Sequence, residues 1–214
     1  MRKLSLLLCI LTLTLSALSC DGGDGSNPQP VIAAHIFSHQ QSDGDIVFDP
    51  FLQSFTITNG AETLLFGKDI LDTNLPEYRA FLDFPLDGST GGDVIPANAE
   101  IVSATLEVFI NEVSFASDVP ALLDLVSYPI VGLRVEDFDS LPLSSQSLDF
   151  FASDLGTFVS IDITSLMQEA QRLGLTDLQL RFVLDFVTNV GFVGIEDLPS
   201  VSTTAPLLIV NYVF

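Results

Sequence analysis

The chain has 214 residues, with 28 Asp and Glu against seven Lys and Arg, a formal net charge of −21. So few basic side chains exclude nucleic acid as a partner, because phosphate contacts are made by Lys and Arg, and they disfavour adhesion to anionic surfaces by charge alone. Val, Ile, Phe, Leu and Thr dominate a composition that is 48% hydrophobic, which favours half-buried strands over disorder.

Met1-Arg2-Lys3 is a short basic run, and residues 4–18 form an apolar segment. That segment falls short of the roughly 20 residues needed to span a bilayer and reads as a secretory signal. Ala17-Leu18-Ser19-Cys20 closes it. The whole segment, residues 1–19, resembles a bacterial lipoprotein signal peptide, although Ala17 stands where such signals more often carry Leu. The resemblance implies cleavage before Cys20, lipidation of that residue, and a domain held at a membrane of the bacterial cell envelope, on its periplasmic or outer side. Two acyl chains anchor stably where one is marginal. The only other cysteine is Cys9, inside the signal, so no disulfide is expected. About 190 residues bury a sufficient core without one. Loss of the signal leaves five basic residues against 28 acids, a net charge of −23. Residues 20–30, Cys-Asp-Gly-Gly-Asp-Gly-Ser-Asn-Pro-Gln-Pro, read as a flexible tether. Residues 31–214 read as one domain.

Within that domain, residues 31–37 predict a first strand, and Asp43-Gly44-Asp45 a turn before Ile46-Val47-Phe48. Residues 54–58 alternate and end at Asn59-Gly60, a pair that suits a type I′ hairpin with residues 62–66 as the return strand. Arg79 to Phe84 predicts a strand, followed by a turn-rich loop. From 101 to 109, Val102, Ala104, Leu106 and Val108 interleave with mostly polar residues, the period of a sheet with one buried face. Pro96 lies between these two strands, because it has no N–H for a ladder. Further strands are predicted over 122–128, 157–163, 178–186, 192–196 and 207–214. Residues 129–153 read as irregular, with 148–151 extended. Thr164 is placed to cap a short helix over 165–173, with Leu166, Ala170 and Leu173 on one face and Gly174 as the stop. About ten short strands and one helix predict an all-β, antiparallel jelly-roll β-sandwich.

Several segments taken in order carry a family likeness. They are Arg79-Ala80-Phe81-Leu82-Asp83-Phe84, Ile95-Pro96-Ala97-Asn98-Ala99-Glu100-Ile101 with Ala104 and Leu106, Val159-Ser160-Ile161-Asp162-Ile163-Thr164-Ser165-Leu166, and Ala205-Pro206-Leu207-Leu208-Ile209-Val210-Asn211-Tyr212. Over about 31–214 the ordered set resembles the DNRLRE-domain family. The likeness implies a jelly-roll sandwich of bacterial surface and secreted proteins, similar to some carbohydrate-binding modules, including alginate-binding ones. The family often carries Trp after the middle strands, where this chain has Arg134-Val135-Glu136-Asp137-Phe138 and no Trp at all. Tyr78, Tyr128 and Tyr212 are the only rings with a polar handle for a sugar.

Candidate chemistry is sparse. His35 and His39 are four apart but lie on a predicted strand and its end, with no acid or Cys completing a metal set. Two His and no nucleophile-elbow pattern argue against a hydrolase, and no catalytic residue is assigned. A C-terminal aromatic strand suits an outer-membrane barrel, but the strands are too short and irregular for one. Structural calcium is conceivable at Asp43, Asp45 and Asp49 or at Asp87 and Asp93, against the alternative that these are turn residues. Arg79 or Arg181, on apolar strands, is expected to pair with a buried acid. The reading is therefore a non-enzymatic, lipid-anchored envelope protein with a binding or surface-structural role, the alternative being a polysaccharide-binding module.

Overall fold

A computed structural model describes residues 29–90, 92–185, 190–199 and 203–214. Cys20 and the signal segment lie outside the described residues. The folded body is Val31–Phe214.

Among the described residues the body is built from twelve strands, all paired antiparallel, and one α-helix. The strands are β1 (Ile32–Phe37), β2 (Gly44–Asp49), β3 (Ser54–Asn59), β4 (Thr63–Lys68), β5 (Glu77–Pro85), β6 (Glu100–Ser114), β7 (Asp118–Val126), β8 (Ser144–Phe151), β9 (Thr157–Asp162), β10 (Asp177–Leu184), β11 (Gly191–Glu196) and β12 (Leu207–Val213); α1 is Thr164–Leu173. They form one sheet curled into two layers. One layer runs β1-β12-β6-β11-β4, with β9 on the other edge of β6. The second runs β3-β2-β5-β10-β7-β8. The layers join where Gly67 and Lys68 of β4 pair with Tyr78 and Glu77 of β5. This is the all-β sandwich with one short helix that the alternation predicts.

The inner faces hide the main core. Phe66 stacks on Phe182 with ring centroids 5.5 Å apart and meets Phe150 at 5.4 Å. Leu64, Leu82, Leu106, Ile110 and Leu208 are fully buried around them. Each such side chain contributes about 1.5–3 kcal/mol by leaving water. The helix closes one end of this core with Leu166, Met167 and Ala170. Gln168 and Gln171 donate to the carbonyls of Ile101 and Ala99, which fixes the helix to the start of β6.

The second layer is buried on its outer face too. Ile46, Phe81, Val126, Tyr128, Leu133 and Phe138 form a smaller cluster there, under the irregular connection 127–143. The expected pairing of a strand arginine with a buried acid is found at this face. Arg181 of β10 lies directly across from Asp124 of β7, and its Nε and Nη2 donate to Asp124 Oδ2 at 3.2 and 2.7 Å. Its Nη1 donates to the carbonyls of Asp137 and Phe138 and to Ser140 Oγ. Arg79 of β5 donates to Glu77, to Asp139 and to the Phe138 carbonyl, and its guanidinium lies 3.8 Å from the Phe138 ring centroid. The two arginines thus pin the connection to the sheet.

Five local expectations are corrected. Asn59-Gly60 does not make a hairpin: β3 pairs with β2, and β4 leaves for the other layer. The reversal is instead at residues 50–53, where the Asp49 carboxylate accepts the N–H groups of Phe51 and Leu52. In β6 the burial pattern shifts at Val102, which is 51% exposed while Ile101 is buried. The register against β12 slips there, leaving Val102 unopposed as a bulge, and a bulge reverses the facing of what precedes it. Thr164 does not cap α1 with its own hydroxyl. Asp162 does so for it, accepting the Thr164 N–H and Oγ1–H, while that hydroxyl accepts the Ala104 N–H of β6. Leu173 is 40% exposed, and Met167 takes the place expected for it. The strand expected over 178–186 ends at Leu184, and Phe186 lies outside the described residues.

Candidate functional site

Residues 38–43 carry the chain from β1 in one layer to β2 in the other. The turn is closed by Ser42 and Asp43 N–H groups donating to the His39 carbonyl. The His39 N–H donates to the carbonyl of Asp83 on β5, and the Asp83 N–H donates to Asp43 Oδ1 at 2.6 Å. From the opposite layer, just past β11, Asp197 accepts the Ser38 hydroxyl on Oδ1 and the Gln40 amide on its carbonyl. Gly44 follows directly because a Cβ there would meet the Thr58 carbonyl oxygen at 2.1 Å.

This arrangement buries three carboxyl groups together. Asp43, Asp83 and Asp197 are all fully excluded from solvent. Asp43 Oδ2, both carboxyl oxygens of Asp83 and Asp197 Oδ2 have no hydrogen-bond donor. Burial, reinforced by the charge of Asp197, pushes Asp43 well above the usual carboxylate range. Burial also raises Asp197 to about 7, against the opposing pull of the hydrogen bond from Ser38. Burial and the charge of Asp177 raise Asp83 to about 6. The Tyr128 hydroxyl is buried without a partner, and burial followed by the charges of Asp43 and Asp83 raises it. The nearest cationic candidate is His39, whose Nδ1 is 4.0 Å from Asp83 Oδ2 and bonded to Ser42 Oγ. A cavity of about 180 Å³ lined by Ser38, His39, Gln40, Gln41, Thr90 and Pro199 adjoins the group. No carboxyl oxygen of the three is open to solvent.

A second feature lies at one end of the sandwich. The loop 50–53 and the loop 69–76 carry Phe51, Leu52 and Leu71 at 78%, 63% and 81% exposure. Both loops are held by carboxylates turned back on the backbone. Asp69 Oδ1 accepts the N–H groups of Leu71 and Asp72, and Asp72 accepts that of Asn74. Asn74 Nδ2 then bridges to Asp49 Oδ2 at 2.9 Å, tying one loop to the other. The apolar side chains are therefore presented by a stiff support.

The residues singled out from the sequence are dispersed. Asp45 accepts the Leu65 N–H, and Asp49 serves its own turn, the Leu52 N–H holding it below the usual range. Asp87 accepts from Ser89, while Asp93 exchanges backbone and side-chain bonds with His35. Neither the Asp43, Asp45, Asp49 run nor the Asp87, Asp93 pair converges on one point. Among the described residues no three His, Cys, Asp or Glu side chains are grouped to hold a metal ion. His35 and His39 serve different partners. Tyr128 and Tyr212 are buried, and Tyr78 packs edge-on against Phe192, so the tyrosines form no open platform. The sequence reading missed Asp83 and Asp197. The signal was an acid inside the apolar run Phe81-Leu82-Asp83-Phe84, which holds no basic residue. No family model matches the chain, and no curated protein matches it either.

Proposed function

We propose that this is a lipid-anchored, non-catalytic β-sandwich protein of the bacterial cell envelope, whose role is binding or surface structure. The DNRLRE-like segments and the lipoprotein-like signal support that reading. The carrying observation is the layout of the body itself, with its first strand at one end and loops bearing exposed apolar side chains at the other. Ile32, where the tether enters, pairs through Tyr212 with Ile101 at the start of β6. At the far end of β6, Ser114 pairs with Phe192, Gly191 with Lys68, Lys68 with Glu77, and Glu77 with Phe48. The loops bearing Phe51 and Leu71 follow Asp49 and Lys68 directly. A strand of 15 residues spans roughly 50 Å, so the exposed apolar loops lie at the opposite end of the body from Val31.

Metabolic labelling with a radioactive fatty acid tests the anchor: label enters the wild type and not Cys20→Ala, and equal labelling of both contradicts it. A glycan-binding reading has one observation in its favour, the open Phe51 ring, a face on which a sugar can stack. Affinity electrophoresis on alginate and a broad glycan panel decides that reading. Retardation that is lost in Phe51→Ala supports it, and absence of retardation across the panel removes it.

A further inference from the structure

We infer that the Asp43–Asp197 carboxyl pair, backed by Asp83, is a proton-operated clasp between the two layers, closed while the pair holds a proton and loosened when it is lost. Asp43 lies where the chain enters the second layer, Asp197 lies where β11 leaves the first, and both are wholly buried. Asp43 is held by the Asp83 N–H and by its own carbonyl accepting from Gly60. Asp197 is held by Ser38, by Gln40, and by its N–H donating to the Glu62 carbonyl. Each carboxyl keeps one buried oxygen without a donor, and the two lie near enough for the charge of Asp197 to act on Asp43. Two carboxylates in that place, with a third behind them, repel each other in a medium of low dielectric.

The groups facing the pair include one imidazole and otherwise acids and neutral side chains. From its own turn comes His39, engaged with Ser42 and 4.0 Å from Asp83. From β5 comes Asp83, and from the start of β10 Asp177 and the neutral Gln179. From the connection after β7 comes Tyr128; β2 contributes Asp45, turned to the Leu65 N–H. Glu196 is engaged with Thr204. No lysine or arginine is among them. The folded state therefore holds these protons more tightly than the unfolded chain, whose aspartates titrate near 4. Their contribution to stability is complete below about pH 4 and is lost as pH rises through 6 to 7. Relief of the repulsion moves residues 38–43 away from 197–199, which opens the cavity beside His39 and Thr90.

The test is thermal unfolding of the full-length protein in non-ionic detergent between pH 5 and pH 8, with hydrogen exchange of the Asp83 and Gly60 amides. The wild-type Tm falls by about 5–15 °C over that range, and the two amides lose protection beyond the ordinary effect of base. Asp197→Asn, which keeps the shape and removes the charge, abolishes at least half of the fall; the exposed control Asp149→Asn keeps it whole. Should Asp197→Asn fail to fold, Asp83→Asn carries the same comparison. Identical pH slopes in the wild type and the buried variant overturn the clasp. So does millimolar calcium that restores the pH 8 Tm of the wild type to its pH 5 value, because the carboxyls would then be a cation site.

Discussion

Arg79 and Asp83 lie on the same outer face of β5, and the regions around them treat buried charge in opposite ways. Around the two arginines every charge has a partner: Arg181 is matched across the strand pair by Asp124, and its remaining N–H groups meet carbonyls that the 127–143 connection brings down. Around Asp83, Asp43 and Asp197 there are three acids and no arginine or lysine, and four carboxyl oxygens go without donors. Burial costs both groups their hydration. The first recovers it through charge-assisted hydrogen bonds between opposite charges. The second recovers it only by holding protons, so its stability belongs to a range of pH. The chain has few basic residues to spend, and the described structure places two of them on the connection rather than on the clasp.

The largest way to break that contrast is to unbalance the paired region. Asp124→Ala leaves Arg181 buried without its carboxylate and is expected to cost about 3–5 kcal/mol in urea unfolding, with little change between pH 5 and pH 8. Next comes the clasp, where the sign reverses. Asp83→Asn removes a charge that the fold disfavours and is expected to stabilise the protein by about 1–2 kcal/mol at pH 8 and by almost nothing at pH 5. The same measurement checks it, and a loss of stability at pH 8 would show that the Asp83 charge is wanted.

A smaller effect is expected where a carboxylate is satisfied locally. Asp162→Ala strips the Thr164 N–H and hydroxyl at the start of α1 of their acceptor and should cost about 1 kcal/mol. The Thr164 hydroxyl holds the Asp162 carboxyl below the usual range. The contribution is therefore present above about pH 4 and lost as pH falls below it, opposite to the clasp. Smallest of all is Phe51→Ala. It removes an open ring from a turn held by Asp49, so stability should move by less than about 0.5 kcal/mol in the same unfolding measurement.

Much of the fold was legible because alternation along a strand is a direct record of which face is wet. Ala104, Leu106 and Val108 announced the buried side of β6, and Ser54 to Thr58 announced β3. What escaped was set by partners distant in the chain. Val102 faces outward because β12 slips against it, and Asn59-Gly60 turns without a hairpin because β3 is held by β2. The arginine pairing could be anticipated from an arginine on an apolar strand, though not the choice of Asp124. The clasp was half visible: Asp43 drew notice as a turn acid. Asp83 and Asp197 are brought to it from strands of opposite layers, and nothing local in the sequence relates them. The stiff tip was equally hidden, since only the Asn74 to Asp49 bond joins its two loops.

The most direct measurement is a carbon-13 NMR titration of the aspartate carboxyls in the folded protein. Asp197 should change state near pH 7 and Asp83 near pH 6, with Asp43 still protonated when the exposed aspartates are fully charged. Titration of all three near pH 4, alongside the exposed aspartates, would contradict the account.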